Sequence, residues 1–337
     1  MSAAPLLAAA GLVKRYTVPR GLFGGASRAL PALRGVGFQL GRGETLALVG
    51  ESGSGKTTAG RIVARLVDPD AGTVRLDGED WLALEGEALR RRRREVQVVF
   101  QDTSGSLNPR LTVGDQIAEP LRIHRLAARR ALADETRRRL ADVGLPPEIA
   151  ARYPSELSGG QRQRVAIARA LAPSPRLVVC DEPVSALDVS IAAQIVNLLL
   201  DLQERTGVSY LFISHDLAVV ARVARRVAVM YLGAIVEEGP VEAIVAKPLH
   251  PYSAALVAAA GGESGPGERL RAAAPASALD PPSGCPYHPR CPVARSRCRT
   301  DAPALEPAEA GRSVACFFPG EANDMKGFSE TFHRPHA

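Results

Sequence analysis

A glycine-rich loop is the feature of this sequence that most limits the folds open to it. A short apolar run, Thr45 to Val49, precedes the loop, and a helical pattern from about Lys56 to Leu66 follows it. The loop Gly50-Glu51-Ser52-Gly53-Ser54-Gly55-Lys56-Thr57 fits the phosphate-binding pattern in full, and Thr58 follows it. Glycines let backbone N–H groups turn toward phosphate oxygens, Lys56 neutralises the outer phosphates, and the Thr57 hydroxyl can ligate Mg²⁺. The loop therefore predicts a nucleoside triphosphate site on an α/β fold.

Two adjacent carboxylates follow a second apolar run further along the chain. The run spans Leu177 to Cys180 and ends in Asp181 and Glu182. On a parallel strand next to the loop, Asp181 would emerge at the carboxyl edge, where ligands bind in open α/β sheets, and could hold Mg²⁺ through water. Side chains on a strand alternate, so Glu182 would face elsewhere and could polarise an attacking water as a general base.

Strand and helix patterns alternate through the first two thirds of the chain. Further strand candidates are Gly11 to Val18, Phe38 to Leu40, Val74 to Leu76, Val96 to Phe100 and Tyr210 to Ile213. The segment from Val113 to Val143 has helical spacing and predicts an all-helical insert. This alternation favours an α/β core with a largely parallel central sheet.

Composition and hydropathy exclude several classes of protein. The 337 residues are 46% hydrophobic and 23% charged, which is typical of a soluble globular chain. The best rival to a membrane helix, Leu217 to Val236, is interrupted by three arginines, so we expect any membrane role to depend on a partner. A net charge of +6 suits an anionic ligand without identifying it. The run Arg90 to Arg94 is interpreted as a solvated helix end, with a nucleic-acid patch as the alternative.

A third motif resembles a known family. Leu157-Ser158-Gly159-Gly160-Gln161-Arg162-Gln163-Arg164 is similar to the signature motif of ABC-type ATPases. Ser158 can cap a helix that starts at Gly159, which leaves free N–H groups for a phosphate. The resemblance implies that Ser158, Gly159, Gly160 and Gln161 meet the γ-phosphate bound by the opposite subunit, so that two ATP molecules lie between two head-to-tail subunits.

The same resemblance assigns further residues in the order the family expects. Tyr16 would stack on adenine, and Gln101 would touch Mg²⁺ and the attacking water. Asp188, in Ser185-Ala186-Leu187-Asp188, would lie in the loop that crosses the subunit interface. His215 would contact the γ-phosphate and support Glu182. The implied fold for residues 1–250 is an ABC-type nucleotide-binding domain with a RecA-like parallel-sheet core, an antiparallel β subdomain and a helical insert at about 102–175.

Peripheral segments resemble one branch of that family, the dipeptide/oligopeptide importer motors, and most of all their second, F-type, ATPase subunit. The segments are Val99 to Asp102, Gly105 to Arg110, an insertion at Arg20 to Gly24, and His250-Pro251-Tyr252. The resemblance implies an ATP-hydrolysing motor at the cytoplasmic face of the membrane. Its implied partners are a second, non-identical ATPase subunit, two membrane permeases and an extracytoplasmic substrate-binding protein, with no nucleic acid.

Three alternatives to a peptide importer stay open at this point. Nickel and glutathione importers share the same segments. A soluble nucleic-acid ATPase of the same fold would fit the net charge and Arg90 to Arg94. A metal-sensing regulator could bind ATP without turnover.

Four cysteines fall in a C-terminal extension predicted at 251–337, after a flexible connection at 261–267 and before a polar tail from 321. They are Cys285, Cys291, Cys298 and Cys316, whereas Cys180 lies in a predicted core strand. We expect no disulfides in the reducing cytosol. Their spacing does not choose between zinc, an iron–sulfur cluster and no metal. The resemblance to the importer extension favours a [4Fe–4S] cluster, with Zn²⁺ as the alternative and His288 as a substitute ligand.

Overall fold

The computed structural model describes residues 4–20, 25–101, 103–260, 279 and 281–324. The strands are β1 (Leu7–Arg20), β2 (Gly25–Leu40), β3 (Thr45–Val49), β4 (Ala71–Leu76), β5 (Glu79–Asp80), β6 (Val96–Val99), β7 (Leu177–Asp181), β8 (Ser209–Ser214), β9 (Arg226–Tyr231), β10 (Ala234–Pro240), β11 (Glu306–Ala308) and β12 (Arg312–Val314). The helices are α1 (Lys56–Val63), α2 (Gly86–Arg92), α3 (Thr103–Ser106), α4 (Val113–Ile123), α5 (Leu132–Asp142), α6 (Gly159–Leu171), α7 (Val189–Thr206), α8 (Leu217–Val223), α9 (Val241–Ala246), α10 (Pro251–Ala260) and α11 (Ser296–Thr300). The predicted connection at 261–267, the insertion at 21–24 and the tail beyond residue 324 lie outside the described residues.

The central sheet has the strand order β11-β12-β10-β9-β3-β8-β7-β6. Strands β6, β7, β8, β3 and β9 pair in parallel, and the other three continue the sheet antiparallel. The prediction of a largely parallel core sheet is confirmed. Strand β8 lies between the loop strand β3 and the carboxylate strand β7.

The inner strands of this sheet are buried on both faces, which explains their unbroken apolar sequences. Every residue of β3, β7 and β8 is buried. Successive side chains enter different cores, with Leu46 and Leu48 in one hydrophobic cluster and Ala47 and Val49 in the other. The carboxyl ends of these strands are thus held rigidly by packing on two sides.

A second, antiparallel sheet covers one face of the core and has the order β2-β1-β4-β5. Its strand β1 starts at Leu7, four residues before the predicted start. Helix α1 ends at Val63 rather than at the predicted Leu66 because Arg65 takes the left-handed conformation, with φ of 54°. The buried indole of Trp81 donates a 2.8 Å hydrogen bond to the Val63 carbonyl, which ties the end of α1 to the segment after β5.

Helices α3 to α6 form the region between β6 and β7. Thr112 caps α4 by accepting a hydrogen bond from the Asp115 N–H, and Val113, Ile117 and Leu121 face the core. The prediction that 113–143 is helical is confirmed, with a 3₁₀ turn at Arg129–Ala131 between α4 and α5.

Residues 281–324, called the C-terminal segment below, pack onto the same core. Strand β12 pairs with β10, and Cys285, Tyr287 and Cys298 join the hydrophobic cluster that contains β7 and β8. The fully buried Glu237 on β10 accepts hydrogen bonds from the Leu249 and His250 N–H groups at 3.0 and 2.9 Å. The predicted domain boundary at residue 250 therefore falls inside a continuous packing unit, and as a functional division it stays a prediction.

Candidate nucleotide-binding site

The glycine-rich loop joins β3 to α1 in a conformation that requires glycine. Gly55 has φ of 101°, and a Cβ there would lie 2.4 Å from the carbonyl oxygen of Ala32. A Cβ on Gly50 would lie 2.2 Å from the Met230 carbonyl oxygen at the end of β9. Close backbone approach on two sides thus fixes the curve of the loop at the amino terminus of α1, where partial positive charge favours phosphate.

The Lys56 ammonium lies inside this loop. Its Nζ donates hydrogen bonds to the carbonyl oxygens of Gly50 at 2.6 Å and Glu51 at 2.9 Å, with the Ser54 hydroxyl 3.4 Å away. Burial lowers the pKa of Lys56, while the carboxylates of Glu182, Asp181 and Glu51 oppose that shift. The lysine is therefore held at the centre of the loop, where outer phosphates would bind.

Thr57 and Asp181 form the predicted Mg²⁺ pair. The Thr57 hydroxyl donates a 2.9 Å hydrogen bond to Oδ1 of Asp181, although β8 separates β7 from the strand β3 that leads into the loop. Burial raises the pKa of Asp181, against the hydrogen bond from Thr57. A buried carboxylate beside a hydroxyl offers the hard oxygen ligands that Mg²⁺ prefers, so these residues fit that ion.

Glu182 contacts the other two residues predicted to act in hydrolysis. Its Oε2 accepts a 3.0 Å hydrogen bond from the Gln101 amide, and its Oε1 lies 3.2 Å from Nδ1 of His215. Glu182 has φ of 48°, and its N–H donates to the Ile213 carbonyl at 2.9 Å. This left-handed residue directly after β7 lets Glu182 and Asp181 point to different partners. Both carboxylate oxygens are oriented, which suits a general base.

These residues line one cavity of about 810 Å³, a size that suits a nucleotide. The predicted residues on its wall are Tyr16, Gly50, Glu51, Ser52, Gly53, Gly55, Lys56, Thr57, Thr58, Gln101, Glu182 and His215. Ser54 and Asp181 reach the site through Lys56 and Thr57. Tyr16 lies on the wall with Leu30, Pro31 and Ala32, where a flat base can pack.

Four residues from beyond residue 250 also line the cavity, and the sequence analysis missed them. They are Ala255, Leu256 and Ala259 of α10, and Arg290 of the 3₁₀ turn His288–Arg290. The Tyr252 hydroxyl accepts a 2.7 Å hydrogen bond from the Glu51 N–H. No sequence motif joins these residues to the loop. Only the three residues of α10, which follow His250-Pro251-Tyr252, had a sequence signal nearby.

The signature motif lies at the start of α6. Ser158 accepts a hydrogen bond from the Gln161 N–H at 3.3 Å, and Gln161 accepts one from the Ser158 N–H at 3.0 Å, which is a capping box. The predicted helix cap is therefore confirmed. Ser158 is exposed, and neither residues 158–161 nor Asp188 are among the described residues that line the cavity. Their predicted contact with an opposite subunit's ATP stays a prediction.

The four cysteines line one cavity of the C-terminal segment, together with His288 and Phe317. That cavity measures about 10 Å³, room for roughly one water molecule and far less than a cluster needs. His288 braces the turn, its Nδ1 lying 3.0 Å from the Cys285 carbonyl oxygen.

The structure gives no support for the expected metal at the four cysteines. Burial raises the pKa of Cys285, and raises the pKa of Cys291 to about 12 and of Cys316 to about 11. Without a metal ion, these thiols are protonated at neutral pH. In the part of the chain that the structure describes, no group of three or more His, Cys, Asp or Glu side chains is placed to hold a metal ion. The expectation of a [4Fe–4S] cluster, or of Zn²⁺, is therefore not supported.

Three arginines of the run from Arg90 to Arg94 form ion pairs at the surface. Glu87 binds Arg90 at 2.6 Å and Arg91 at 3.1 Å, and Arg92 pairs with Glu79 and Glu95. This arrangement favours the interpretation as a solvated helix end. Across the described ranges, no helix is both long and apolar enough to cross a bilayer.

The fold and the site define a P-loop ATPase, with a cavity in which a lysine, a hydroxyl and an oriented carboxylate surround the phosphate position. Comparison with protein families agrees with this class. Residues 33–185 match the family described as ABC transporter, and residues 236–298 match the family described as oligopeptide/dipeptide transporter, C-terminal region.

Relatives with known names extend over nearly the whole chain. A probable peptide ABC transporter ATP-binding protein of Sinorhizobium fredii is 50% identical over 92% of this chain and 89% of its own length. The dipeptide transport ATP-binding protein of Haemophilus influenzae is 46% identical over 93% of this chain and 96% of its own length. This chain therefore belongs to the ABC transporter ATP-binding proteins and is an ABC ATPase.

A solved structure gives the same result for the fold. The dimeric post-hydrolysis state of an ATP-binding cassette, bound to ADP and Pi, is 30% identical and has a TM-score of 0.62. It covers 70% of this chain and 98% of its own.

Proposed function

We propose that this chain is the ATP-hydrolysing motor subunit of an importer for di- or oligopeptides. The observation that carries the proposal is that one polypeptide joins the phosphate-loop cavity to a segment, 236–298, of the oligopeptide/dipeptide transporter type. The names of the relatives in Sinorhizobium and Haemophilus support the same cargo class. Nickel and glutathione importers remain the alternative cargo classes of this proposal.

Hydrolysis is assigned to residues around Glu182. Lys56 and the loop N–H groups bind the β- and γ-phosphates, and Tyr16 stacks on the base. Glu182 accepts the proton of the attacking water. Gln101 and His215 orient the two carboxylate oxygens of Glu182, at 3.0 and 3.2 Å. Mg²⁺, held by Thr57, Asp181 and Gln101, would neutralise the charge of the phosphates.

The active form is proposed to be a head-to-tail pair of ATPase subunits. The exposed Ser158 helix start, with Gly159, Gly160 and Gln161, would bind the γ-phosphate held by the partner, and Asp188 would lie at the interface. We propose a non-identical partner subunit, two membrane permeases contacted through the helical insert at about 102–175, and an extracytoplasmic substrate-binding protein. The pair would work at the cytoplasmic face of the membrane.

Uptake by the living cell tests the cargo. The gene would be deleted and the strain supplied separately with labelled dipeptide, longer peptide, nickel and glutathione. We expect loss of peptide uptake, rescue by the wild-type chain, and no rescue by Glu182→Gln. Glu204→Gln, the same change at an exposed position of α7, is the matched control and should rescue. Loss of nickel or glutathione uptake alone would reassign the cargo, and unchanged uptake of all four would contradict an importer.

A further inference from the structure

A single arginine of the C-terminal segment contacts the phosphate loop. Arg290 donates two parallel hydrogen bonds to the Glu51 carboxylate, from Nη1 to Oε2 at 2.9 Å and from Nη2 to Oε1 at 3.0 Å. The Arg290 side chain is 4% exposed, while that of Glu51 is 36% exposed. A bidentate pair of this kind is strong and fixes the geometry of both groups.

Aromatic rings hold this arginine in place. Its guanidinium lies 6.0 Å from the ring centroid of Tyr231 and 5.6 Å from that of Tyr287. Tyr252 packs on both rings, at 4.7 and 5.5 Å. Because the Tyr252 hydroxyl also accepts the Glu51 N–H, this tyrosine cluster holds both the backbone and the side chain of Glu51.

The pair lies on the wall of the nucleotide cavity, to which Glu51 and Arg290 both contribute. A carboxylate beside the phosphate loop repels a triphosphate, because both groups are negatively charged. Arg290 cancels that charge. Glu51 also lies next to Gly50, whose carbonyl binds Lys56, so movement of Glu51 would disturb the lysine.

We propose that Arg290 is a positioning residue of the ATP site, which neutralises Glu51 and holds the phosphate loop open for the triphosphate. The C-terminal segment then contributes a residue to the nucleotide site itself. This inference rests on the ATP site proposed above.

A double variant separates this electrostatic role from a structural one, because removal of the Glu51 charge should rescue the loss of Arg290. In Arg290→Gln, Glu51 is left without its cation, and we expect the KM for ATP to rise on the order of tenfold with kcat changed less than about twofold. In Glu51→Gln the Arg290 cation loses its counter-ion and attracts the triphosphate, so KM should fall. Arg290→Gln combined with Glu51→Gln should return KM to within about threefold of wild type. A purely structural role predicts that the double variant is at least as impaired as the single one.

The measurements use the full-length protein, with binding of a fluorescent ATP analogue titrated alongside ATPase activity. The Arg290→Gln defect should shrink as NaCl is raised, because salt screens the repulsion. Arg290→Lys keeps the positive charge but cannot make the two parallel hydrogen bonds to Glu51. This variant should bind ATP nearly as tightly as wild type, and it provides the test if Arg290→Gln does not fold. Arg299→Gln, at an exposed position of the same segment, is the matched control.

Two results would overturn the inference: wild-type KM in Arg290→Gln, or no recovery in the double variant. Glu182→Gln is measured in parallel. If it hydrolyses ATP as fast as wild type, the proposed site fails. If it is inactive while Arg290→Gln binds ATP normally, only the role of Arg290 fails.

Discussion

The hydroxyl of Thr57 lies 2.9 Å from Oδ1 of Asp181 and donates a hydrogen bond to it. Thr57 belongs to the first turn of α1, and Asp181 ends β7 on the far side of β8. The contact therefore joins the phosphate loop to the carboxylate edge across an intervening strand, and it defines where a divalent ion can bind.

Thr57→Val should weaken the binding of Mg²⁺ at the ATP site. Valine has the shape of threonine without its hydroxyl, so Asp181 loses its partner and the ion loses a ligand. A lost hydrogen bond to a charged group costs about 1.5–3 kcal/mol, so the Mg²⁺ concentration for half-maximal ATPase activity should rise by about tenfold or more. Thr57→Ser keeps the hydroxyl and should remain within about threefold of wild type. Equal Mg²⁺ dependence in the valine and serine variants would contradict the assignment.

Glu182→Gln should greatly slow turnover while ATP still binds. Removal of a general base costs roughly 10²- to 10⁴-fold in rate, whereas the loop and Lys56 are untouched. Phosphate release and nucleotide binding are measured on the same preparation. A variant that turns over at the wild-type rate would exclude Glu182 as the base.

Gln101→Ala and His215→Ala should act through Glu182. Each removes one partner of a Glu182 oxygen, so we expect kcat to fall by about tenfold, less than for Glu182→Gln. In the Glu182→Gln background neither change should reduce the rate further, because groups that act as a unit are not additive. Independent, multiplicative losses would show that they act elsewhere.

Tyr16→Ala should raise the KM for ATP, whereas Tyr16→Phe should not. Stacking of a base on an aromatic ring is worth about 1–3 kcal/mol, which corresponds to roughly tenfold or more in affinity. Phenylalanine keeps the ring and loses only the hydroxyl. Comparison of ATP with inorganic triphosphate checks the cause, since the loss should be confined to the ligand that has a base.

Acid should destabilise the fold through His250. Burial lowers the pKa of His250 from 6.5 to about 3, and its Nδ1 accepts the Tyr252 N–H at 3.0 Å, so the folded chain keeps it neutral. Below pH 6.5 the unfolded chain takes up a proton that the folded chain does not. The free energy of unfolding should therefore fall by up to about 1.4 kcal/mol per pH unit from pH 6.5 downward, with no contribution above it.

His250→Asn isolates that contribution. The asparagine side-chain oxygen can accept the same N–H and does not titrate, so the decline between pH 7.5 and 5 should be shallower than in wild type. Denaturant unfolding at several pH values measures it. Parallel stability curves for the two proteins would assign the acid sensitivity to other groups.

Local sequence was enough to predict the phosphate loop, the two carboxylates and the capped start of α6. In each case the chemistry depends on residues that are neighbours in the chain, so the spacing is visible in the sequence. The strand order is of another kind, because periodicity identifies β3 and β7 as buried without specifying that β8 lies between them.

Arg290 and the cysteines show where such reasoning stops. Arg290 meets Glu51 across 239 residues, and nothing in the sequence around either residue encodes the pairing. The cysteines did gather around one cavity, but their spacing carried no information on its volume of about 10 Å³. Packing decides such features.

The pairing of β12 with β10 determines how this chain tolerates shortening. Glu237 and Glu238 are matched with Val314 and Ser313, so a polypeptide cut after α10 would leave a sheet edge open along β10. Uncovered edges recruit strands from other molecules. Removal of the residues after α10 would thus yield a protein that self-associates. A shorter form of this ATPase is better obtained by removing the polar residues beyond β12.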